Sequence, residues 1–179
     1  MARGAYSRAS MDAPASEWTV VGRAGPDDLA REIRLRSAMI RSLRHEEAFA
    51  ILRDGTVLHA TGDERSVTFA DEGRFDLAGA VLIHNHPTGG PLSFDDLRTA
   101  ARLRLRTMIA VSPDGESWLD LSTEPSLEAL EEMLRAAFAQ GQTWLARELS
   151  RGKAPNRRDV AEIVLESLQE QIYEDHAQS

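Results

Sequence analysis

The chain has 179 residues, of which 42% are hydrophobic and 28% are charged. That length and composition suit one compact globular domain rather than two domains or a disordered chain. The formal net charge of -8 argues against a protein that wraps nucleic-acid phosphates, because that task needs a clustered positive field. Since the sequence has no cysteine, disulfides, a thiolate nucleophile and a Cys-based zinc site are excluded, and any metal must be bound by histidine and carboxylate.

The segmentation of the chain follows from its composition. We expect residues 1–16, which are small, polar and aperiodic, to form a flexible leader, residues 17–124 to form the catalytic domain, and residues 125–179 to form a helical extension that packs on the domain or on a partner. No apolar run is long enough to span a bilayer, and the N-terminus lacks the apolar core of a secretory signal. These features predict a cytoplasmic protein with no membrane partner.

In chain order, the first predicted element is an amphipathic helix from Pro26, where a proline and two acidic residues precede apolar residues at helical spacing. Two apolar runs around Asp54-Gly55 then predict a β-hairpin over residues 47–62. A third short strand is predicted at residues 66–70.

The second half of the chain alternates strands and helices. Ala80–Ile83 is predicted to be a buried strand that leads directly into two histidines and Pro87. The remaining predictions are a helix at 93–106, strands at 107–113 and 116–122, and two amphipathic helices at 126–149 and 157–173. The sequence therefore predicts an α/β fold, a mixed β-sheet flanked by helices, with extra C-terminal helices.

The stretch HNHPTGGPLSFDD, residues 84–96, contains the most informative motif. Two histidines separated by one residue can point both rings at one site only if the chain bends, and Pro87 and the Gly-Gly pair permit that bend. Asp96 then enters from the first turn of the following helix. Two imidazoles and one carboxylate leave a fourth tetrahedral position for water, as in catalytic zinc sites. Taken alone, Ser93 and Asp96 also fit a helix capping box.

The pattern of an upstream glutamate, His-x-His-Pro and then Ser-x-x-Asp resembles that of the JAMM (MPN-plus or JAB) metalloprotease family. The sequence HNHP itself is similar to that of bacterial RadC-type and prokaryotic JAB members. The resemblance covers about residues 45–121. It implies a layered fold like that of cytidine deaminases, Zn²⁺ bound by His84, His86 and Asp96, and a hydrogen bond from Ser93 to the developing oxyanion. The gap between His86 and Ser93 is a residue shorter than in many eukaryotic members, which leaves Asp95 open as an alternative ligand.

The upstream glutamate is Glu46 or Glu47. Glu47 fits the family spacing before the first hairpin strand, and alternation places it on one face with Phe49 and Ile51, where an acid is costly unless it has a function. We therefore expect Glu47 to be the general base, which takes a proton from the activated water and passes it to the leaving amine. His59 and His45 are expected to be ordinary partnered or surface side chains.

The resemblance implies a peptidase or isopeptidase that cleaves after the C-terminal tail of a ubiquitin-like or sulfur-carrier-like protein. The alternatives are a non-catalytic MPN-type binding or scaffold module, and a RadC-like role in DNA metabolism that the acidic charge disfavours. Cytidine deamination is excluded because that chemistry uses cysteine ligands. The C-terminal helices are a candidate contact for a homo- or hetero-oligomer.

Overall fold

A computed structural model describes residues 17–62, 75–122 and 126–178. Within these ranges six strands form one mixed sheet, and four helices cover its faces. This arrangement confirms the predicted α/β class. In chain order the elements are β1 (Thr19–Arg23), α1 (Leu29–Ile40), β2 (Glu47–Ile51), β3 (Thr56–Thr61), β4 (Val81–Asn85), α2 (Phe94–Arg102), β5 (Thr107–Ser112), β6 (Gly115–Asp120), α3 (Leu127–Ser150) and α4 (Arg157–Gln178).

The sheet has the strand order β1-β3-β2-β4-β5-β6. Strands β4 and β5 run parallel and are connected through α2, whereas all other neighbouring strands are antiparallel. The beginning of β2 and the ends of β4 and β5 therefore lie at the same edge of the sheet. The first turn of α2, which follows β4, starts at that edge as well.

Each face of the sheet has its own apolar core. On the α1 face, side chains of α1 pack on alternate residues of the central strands; this cluster includes Ile33, Ile40, Phe49, Val57, Val81, Ile83, Ile109 and Val111. The three-helix face is covered by α2, α3 and α4; its cluster includes Ala50, Leu58, Leu82, Leu97, Met108, Leu119, Leu130, Val164, Leu168 and Ile172. Because both faces are covered, the central strands β4 and β5 are apolar along most of their length.

Most predicted elements are confirmed, with shifted ends. The helix predicted from Pro26 begins at Leu29, and the hairpin around Asp54-Gly55 forms as β2 and β3. Strand β4 continues two residues beyond its predicted end at Ile83, so that it includes the first histidine of the motif. The helix after the motif ends at Arg102 rather than 106, because Arg104 adopts a positive φ of 52° that no α-helix continues through.

Strand β1 was not predicted. It is an edge strand with an irregular register between Val20 and Gly22, and much of it is exposed. Its sequence, TVVGR, has no alternation of apolar and polar residues, which is the signal that a strand prediction needs. The predicted leader at 1–16 and strand at 66–70 lie outside the described residues.

The two C-terminal helices are part of the domain core. Val164, Leu168 and Ile172 of α4 are each 1% exposed within the three-helix face. The Gln169 side chain also binds the backbone N–H and C=O of Asp120 in β6, at 2.9 and 3.1 Å. An oligomer contact through these helices stays a prediction. No helix in the described ranges combines the length and the apolar composition needed to cross a membrane.

Candidate metal centre

The end of β4 directs alternate side chains to opposite faces of the sheet. Leu82 points to the three-helix face and Ile83 to the α1 face, so His84 points to the three-helix face. His84 lies between the bonded neighbours β2 and β5, opposite Ala48 and Ala110. Its side chain is 4% exposed, so the neighbouring strands and helices surround the ring and limit its movement.

The turn after β4 positions His86. The His86 N–H donates to the carbonyl of Val111 in β5 at 2.8 Å, and Gly89 N–H donates back to the carbonyl of His86 at 3.0 Å. Gly89 and Gly90 have φ values of 83° and 106°, which side chains with a Cβ rarely adopt. The turn brings the Gly90 carbonyl to 3.3 Å from His86 Nδ1. A carbonyl only accepts, so Nδ1 is the donor and Nε2 keeps its lone pair in the neutral ring.

Asp96 enters the centre from the first turn of α2. The helix begins with the capping box that Ser93 and Asp96 predict: Asp96 N–H donates to Ser93 Oγ at 3.2 Å, and Ser93 N–H donates to Asp96 Oδ2 at 2.6 Å. The cap fixes the carboxylate without saturating it, because a carboxylate accepts about four hydrogen bonds. Capping and metal binding are therefore compatible functions of this residue.

The three side chains converge on one point. His84 Nε2 lies 2.9 Å from His86 Nε2 and 3.2 Å from Asp96 Oδ1, and His86 Nε2 lies 3.3 Å from Asp96 Oδ2. Tetrahedral zinc with bonds of about 2.0–2.1 Å places neighbouring ligand atoms about 3.3 Å apart. The separations fit that geometry, with the two nitrogens slightly closer. Among the described residues, these three form the group of histidine and acidic side chains able to hold a metal ion.

The two ring nitrogens of His84 have different surroundings. Nε2 faces the other two side chains, whereas Nδ1 is buried and has no hydrogen-bond partner within the described part of the chain. A cation bound at Nε2 would leave Nδ1 as an unpaired N–H, and burying such a group costs about 1–3 kcal/mol. The bond to the metal would have to outweigh that cost.

The electrostatics of the centre are those of a carboxylate held between imidazoles. Burial raises the pKa of Asp96, but the charge and hydrogen bond of His84, with hydrogen bonds from His86 and Ser93, lower it far below its ordinary value. Burial lowers the pKa of His86, but Asp96, Glu46 and the Gly90 carbonyl raise it above the ordinary value. Because the pKa of Asp96 is lowered and that of His86 is raised, a metal ion bound by these groups would compete with protons.

Glu46 lies on the same side of the sheet as the centre. Its carbonyl accepts a hydrogen bond from Gly62 N–H at 2.8 Å, which extends the β2–β3 ladder by one residue beyond Glu47. Alternation then places Glu46 on one face with Ala48, the residue paired with His84. Its charge also raises the pKa of His86. Register and electrostatics both place this carboxylate on the side of the sheet that holds His84, His86 and Asp96.

Glu47, the predicted base, is not brought to the centre. Its Oε1 lies 2.8 Å from His45 Nε2 and its Oε2 lies 2.8 Å from His59 Nε2. The ring of His59 in turn lies 4.7 Å from that of Phe49, a core residue of the α1 face. Glu47 shares a face with Phe49 as predicted, but that face is the one opposite the centre. The structure thus pairs the Glu47 carboxylate with two imidazoles rather than with His84, His86 or Asp96, and its role as the base stays a prediction.

The open choice between the two aspartates is resolved by their exposure. The Asp95 side chain is 93% exposed and lies 3.8 Å from Arg98, whereas the Asp96 side chain is 18% exposed and contacts both histidines. Ser93 is exposed, and its Oγ accepts the capping bond. Its hydroxyl hydrogen remains able to donate to a substrate, and the oxyanion role stays a prediction.

One residue of the site had no assigned role in the sequence. Asn85, between the two histidines, is 1% exposed and binds the backbone of His45 and Glu47. Its position in the sequence could have indicated a structural role. Asn85 is a polar residue at the end of a buried strand, and it points away from the neighbouring histidines. Such a side chain must find hydrogen-bond partners inside the protein. His45 and His59 are partnered side chains, as expected.

Comparison with known proteins gives no relative: no family model, no curated protein and no solved structure matches the chain. The geometry of the centre and the resemblance of its motif are therefore the basis for assigning a function.

Proposed function

We propose that the protein is a zinc-dependent peptidase or isopeptidase whose metal ligands are His84, His86 and Asp96 and whose general base is Glu46. The observation that supports it most is the convergence of two imidazole nitrogens and a carboxylate within 3.3 Å of one another. The Glu46 carboxylate on the same face adds the proton acceptor that hydrolysis needs. A pure binding module has no need of this set of side chains.

The proposed mechanism assigns each side chain one task. His84, His86 and Asp96 would hold a zinc ion, which would lower the pKa of a bound water and polarise a substrate carbonyl. Glu46 accepts the proton of the attacking water and passes it to the nitrogen of the leaving amine as the amide bond breaks. The Ser93 hydroxyl donates a hydrogen bond to the carbonyl oxygen as negative charge develops on it. No covalent intermediate is required, in keeping with a chain that has no cysteine.

The proposed substrate is an amide bond after the C-terminal tail of a ubiquitin-like or sulfur-carrier-like protein. The class comes from the motif resemblance. Gly89 and Gly90, in the turn beside His86, have no side chains. The surface at this point therefore admits a thin extended segment such as a Gly-Gly tail more readily than a bulky one.

The test uses a reporter protein fused after the Gly-Gly tail of ubiquitin or of a small β-grasp sulfur carrier, with casein as a non-specific substrate. We expect the zinc-loaded protein to cleave a fusion and not casein, and we expect a chelator to abolish cleavage until zinc is restored. Glu46→Gln should lower kcat by roughly a hundredfold or more, because the amide cannot accept the proton. Glu47→Gln, the adjacent substitution on the opposite face, is the matched control and should keep most of the activity.

Each other outcome contradicts a different part of the proposal. Chelator-sensitive cleavage of casein alone would indicate a general metallopeptidase, and cleavage of no substrate by the zinc-loaded protein would favour the scaffold alternative. A large loss in Glu47→Gln with little change in Glu46→Gln would return the base to Glu47.

A further inference from the structure

The side chain of Asn85 bonds to both peptide groups that flank Glu46. Its Oδ1 accepts a hydrogen bond from the backbone N–H of Glu47 at 2.7 Å, and its Nδ2 donates to the backbone carbonyl of His45 at 3.0 Å. We infer that Asn85 is a positioning residue, which holds the backbone of Glu46 so that its carboxylate faces the metal centre. This inference rests on the proposed function, because it concerns the residue proposed there as the base.

The bonds of Asn85 replace a missing part of the sheet. The paired register of β2 with β4 ends at Ala48 and His84. Beyond that pair, the backbone N–H of His86 turns away from β2 and donates to Val111 of β5. At this point the backbone of β2 would have no hydrogen-bond partner on the β4 side. The Asn85 amide fills that place, because it supplies one donor and one acceptor, as a peptide group would.

Glu46 is consequently fixed from both sides. Its own carbonyl accepts from Gly62 N–H on the β3 side, and its neighbours are bound by Asn85 on the β4 side. The backbone conformation that directs the carboxylate to the three-helix face is thereby determined by three hydrogen bonds. Position matters here, because a misplacement of about 1 Å in a catalytic group can lower the rate by about a hundredfold.

The residue type is specific to this task. Asn85 is 1% exposed, so each of its polar atoms must be paired inside the protein. Aspartate at this position keeps the acceptor for Glu47 N–H but has no donor for the carbonyl of His45. Alanine lacks both groups, and neither substitution alters the metal ligands themselves.

The chain also provides a matched control on the same segment. Glu47 binds His45 and His59 through its side chain, whereas Asn85 binds only its backbone N–H. Glu47→Gln therefore disturbs the side-chain contacts next to Glu46 while leaving both backbone bonds in place. A general loosening of this segment should appear in Glu47→Gln as well as in Asn85 variants, but a loss of positioning should appear only in the latter.

The experiment compares Asn85→Ala, Asn85→Asp, Glu46→Gln, Glu47→Gln and the double variant Glu46→Gln/Asn85→Ala, each loaded with Co²⁺ and checked for folding by circular dichroism. The first readout is the pH dependence of the visible Co²⁺ spectrum, which needs no substrate. We expect Asn85→Ala to shift the spectral transition in the same direction as Glu46→Gln, Asn85→Asp to shift it less, and Glu47→Gln to leave it unchanged. The double variant should match Glu46→Gln, because Asn85 acts through Glu46.

The second readout is cleavage of the fusion substrates by the zinc-loaded variants. Asn85→Ala should lower kcat by about tenfold to a hundredfold with little change in KM. An unchanged spectrum and kcat in folded Asn85→Ala would overturn the inference, as would an additive effect in the double variant. If neither Asn85 variant folds, Asn85 supports the fold alone and the inference is also overturned.

The two proposals fail in different ways. If the native protein cleaves nothing, the peptidase proposal fails, but the Co²⁺ spectra still report whether Asn85 controls the placement of Glu46. If Glu46→Gln itself leaves both spectrum and rate unchanged, the role of Glu46 is wrong and the inference about Asn85 fails with it.

Discussion

Glu47 bridges two imidazoles on the α1 face, and its ionisation is linked to the stability of the fold. Burial raises the pKa of Glu47, but the hydrogen bonds and charges of His59 and His45 outweigh burial and hold the pKa below its usual value of 4.5. A carboxylate whose pKa is lowered on folding stabilises the protein at pH values above its unfolded pKa. That contribution is lost as the pH falls through the lower, folded pKa.

We therefore predict that Glu47→Gln lowers the melting temperature most near neutral pH. Loss of a bridging hydrogen bond worth about 1 kcal/mol corresponds to about 2–4 °C in a chain of this size. The difference in melting temperature between the native protein and the variant should decrease progressively below pH 4.5, the usual pKa of a glutamate carboxyl. Thermal unfolding between pH 3 and 7, with the exposed Glu174→Gln as control, measures it, and a gap that is constant with pH would contradict the linkage.

At this scale the sequence predicted the convergence of His84, His86 and Asp96, but not the face of the sheet on which Glu47 lies. His84, His86 and Asp96 converge as expected. They are close in sequence, and the turn and the helix start between them allow only a few arrangements of the three side chains. The choice between Glu46 and Glu47 depended on strand register, where a slip of one residue exchanges the two faces. Alternation within β2 alone could not say which face held the centre; that required the pairing of β2 with β4.

The turn between β4 and α2 is the element on which the centre depends most. Gly89 has a φ of 83°, and a Cβ there would lie 3.2 Å from the Asp114 carboxylate. Gly152, in the connection after α3, has a similar φ of 75° with nothing within 4 Å of an added Cβ. Both glycines need a positive φ, but only Gly89 lies next to the contact between the Gly90 carbonyl and His86.

We predict that Gly89→Ala and Gly152→Ala each destabilise the fold by about 1–2 kcal/mol, the cost of a left-handed conformation for a residue with a Cβ. Only Gly89→Ala should also weaken zinc binding, by about tenfold or more, because it shifts the Gly90 carbonyl that orients His86. Chemical denaturation and competition with a chromophoric chelator measure the two effects. Equal zinc affinities in the two variants would show that the turn does not orient the ligand.

The elements themselves were largely predictable because local signals agreed with the final fold. Asp54-Gly55 marks a hairpin, Ser93 begins α2 with a capping box, and the apolar β4 is buried on both faces. Strand β1 was missed because its place is set by pairing with β3 rather than by its own pattern. The same reason explains the early end of α2 at Arg102, where the tertiary structure requires a tight turn into β5.

At the scale of the whole molecule, the C-terminal helices close the hydrophobic core. The three-helix face contains Val164, Leu168 and Ile172, each 1% exposed. Helix α3 approaches α4 closely at Gly141, where a Cβ would lie 2.5 Å from the Val164 side chain. Removal of α4 would expose this face of the core to water.

We predict that truncation after Ser150 abolishes cooperative unfolding. Replacing even one buried Leu or Ile by alanine costs about 2–5 kcal/mol, and this truncation removes Val164, Leu168 and Ile172 together. Truncation after Tyr173 keeps all three and should leave a folded protein. Differential scanning calorimetry of the two truncated proteins decides between these outcomes. A folded, zinc-binding protein that ends at Ser150 would show that α4 is dispensable.

The placement of the three ligands also determines the order in which a metal ion can be released. His84 belongs to a strand hydrogen-bonded on both sides, and its side chain is 4% exposed, whereas those of His86 and Asp96 are 14% and 18% exposed. His86 lies in a turn and Asp96 in the first turn of a helix, segments that open far more easily than the middle of a sheet. Dissociation of a metal ion from this centre would therefore be directional: the ligands in the turn and the helix would detach first, and the imidazole of His84 would detach last.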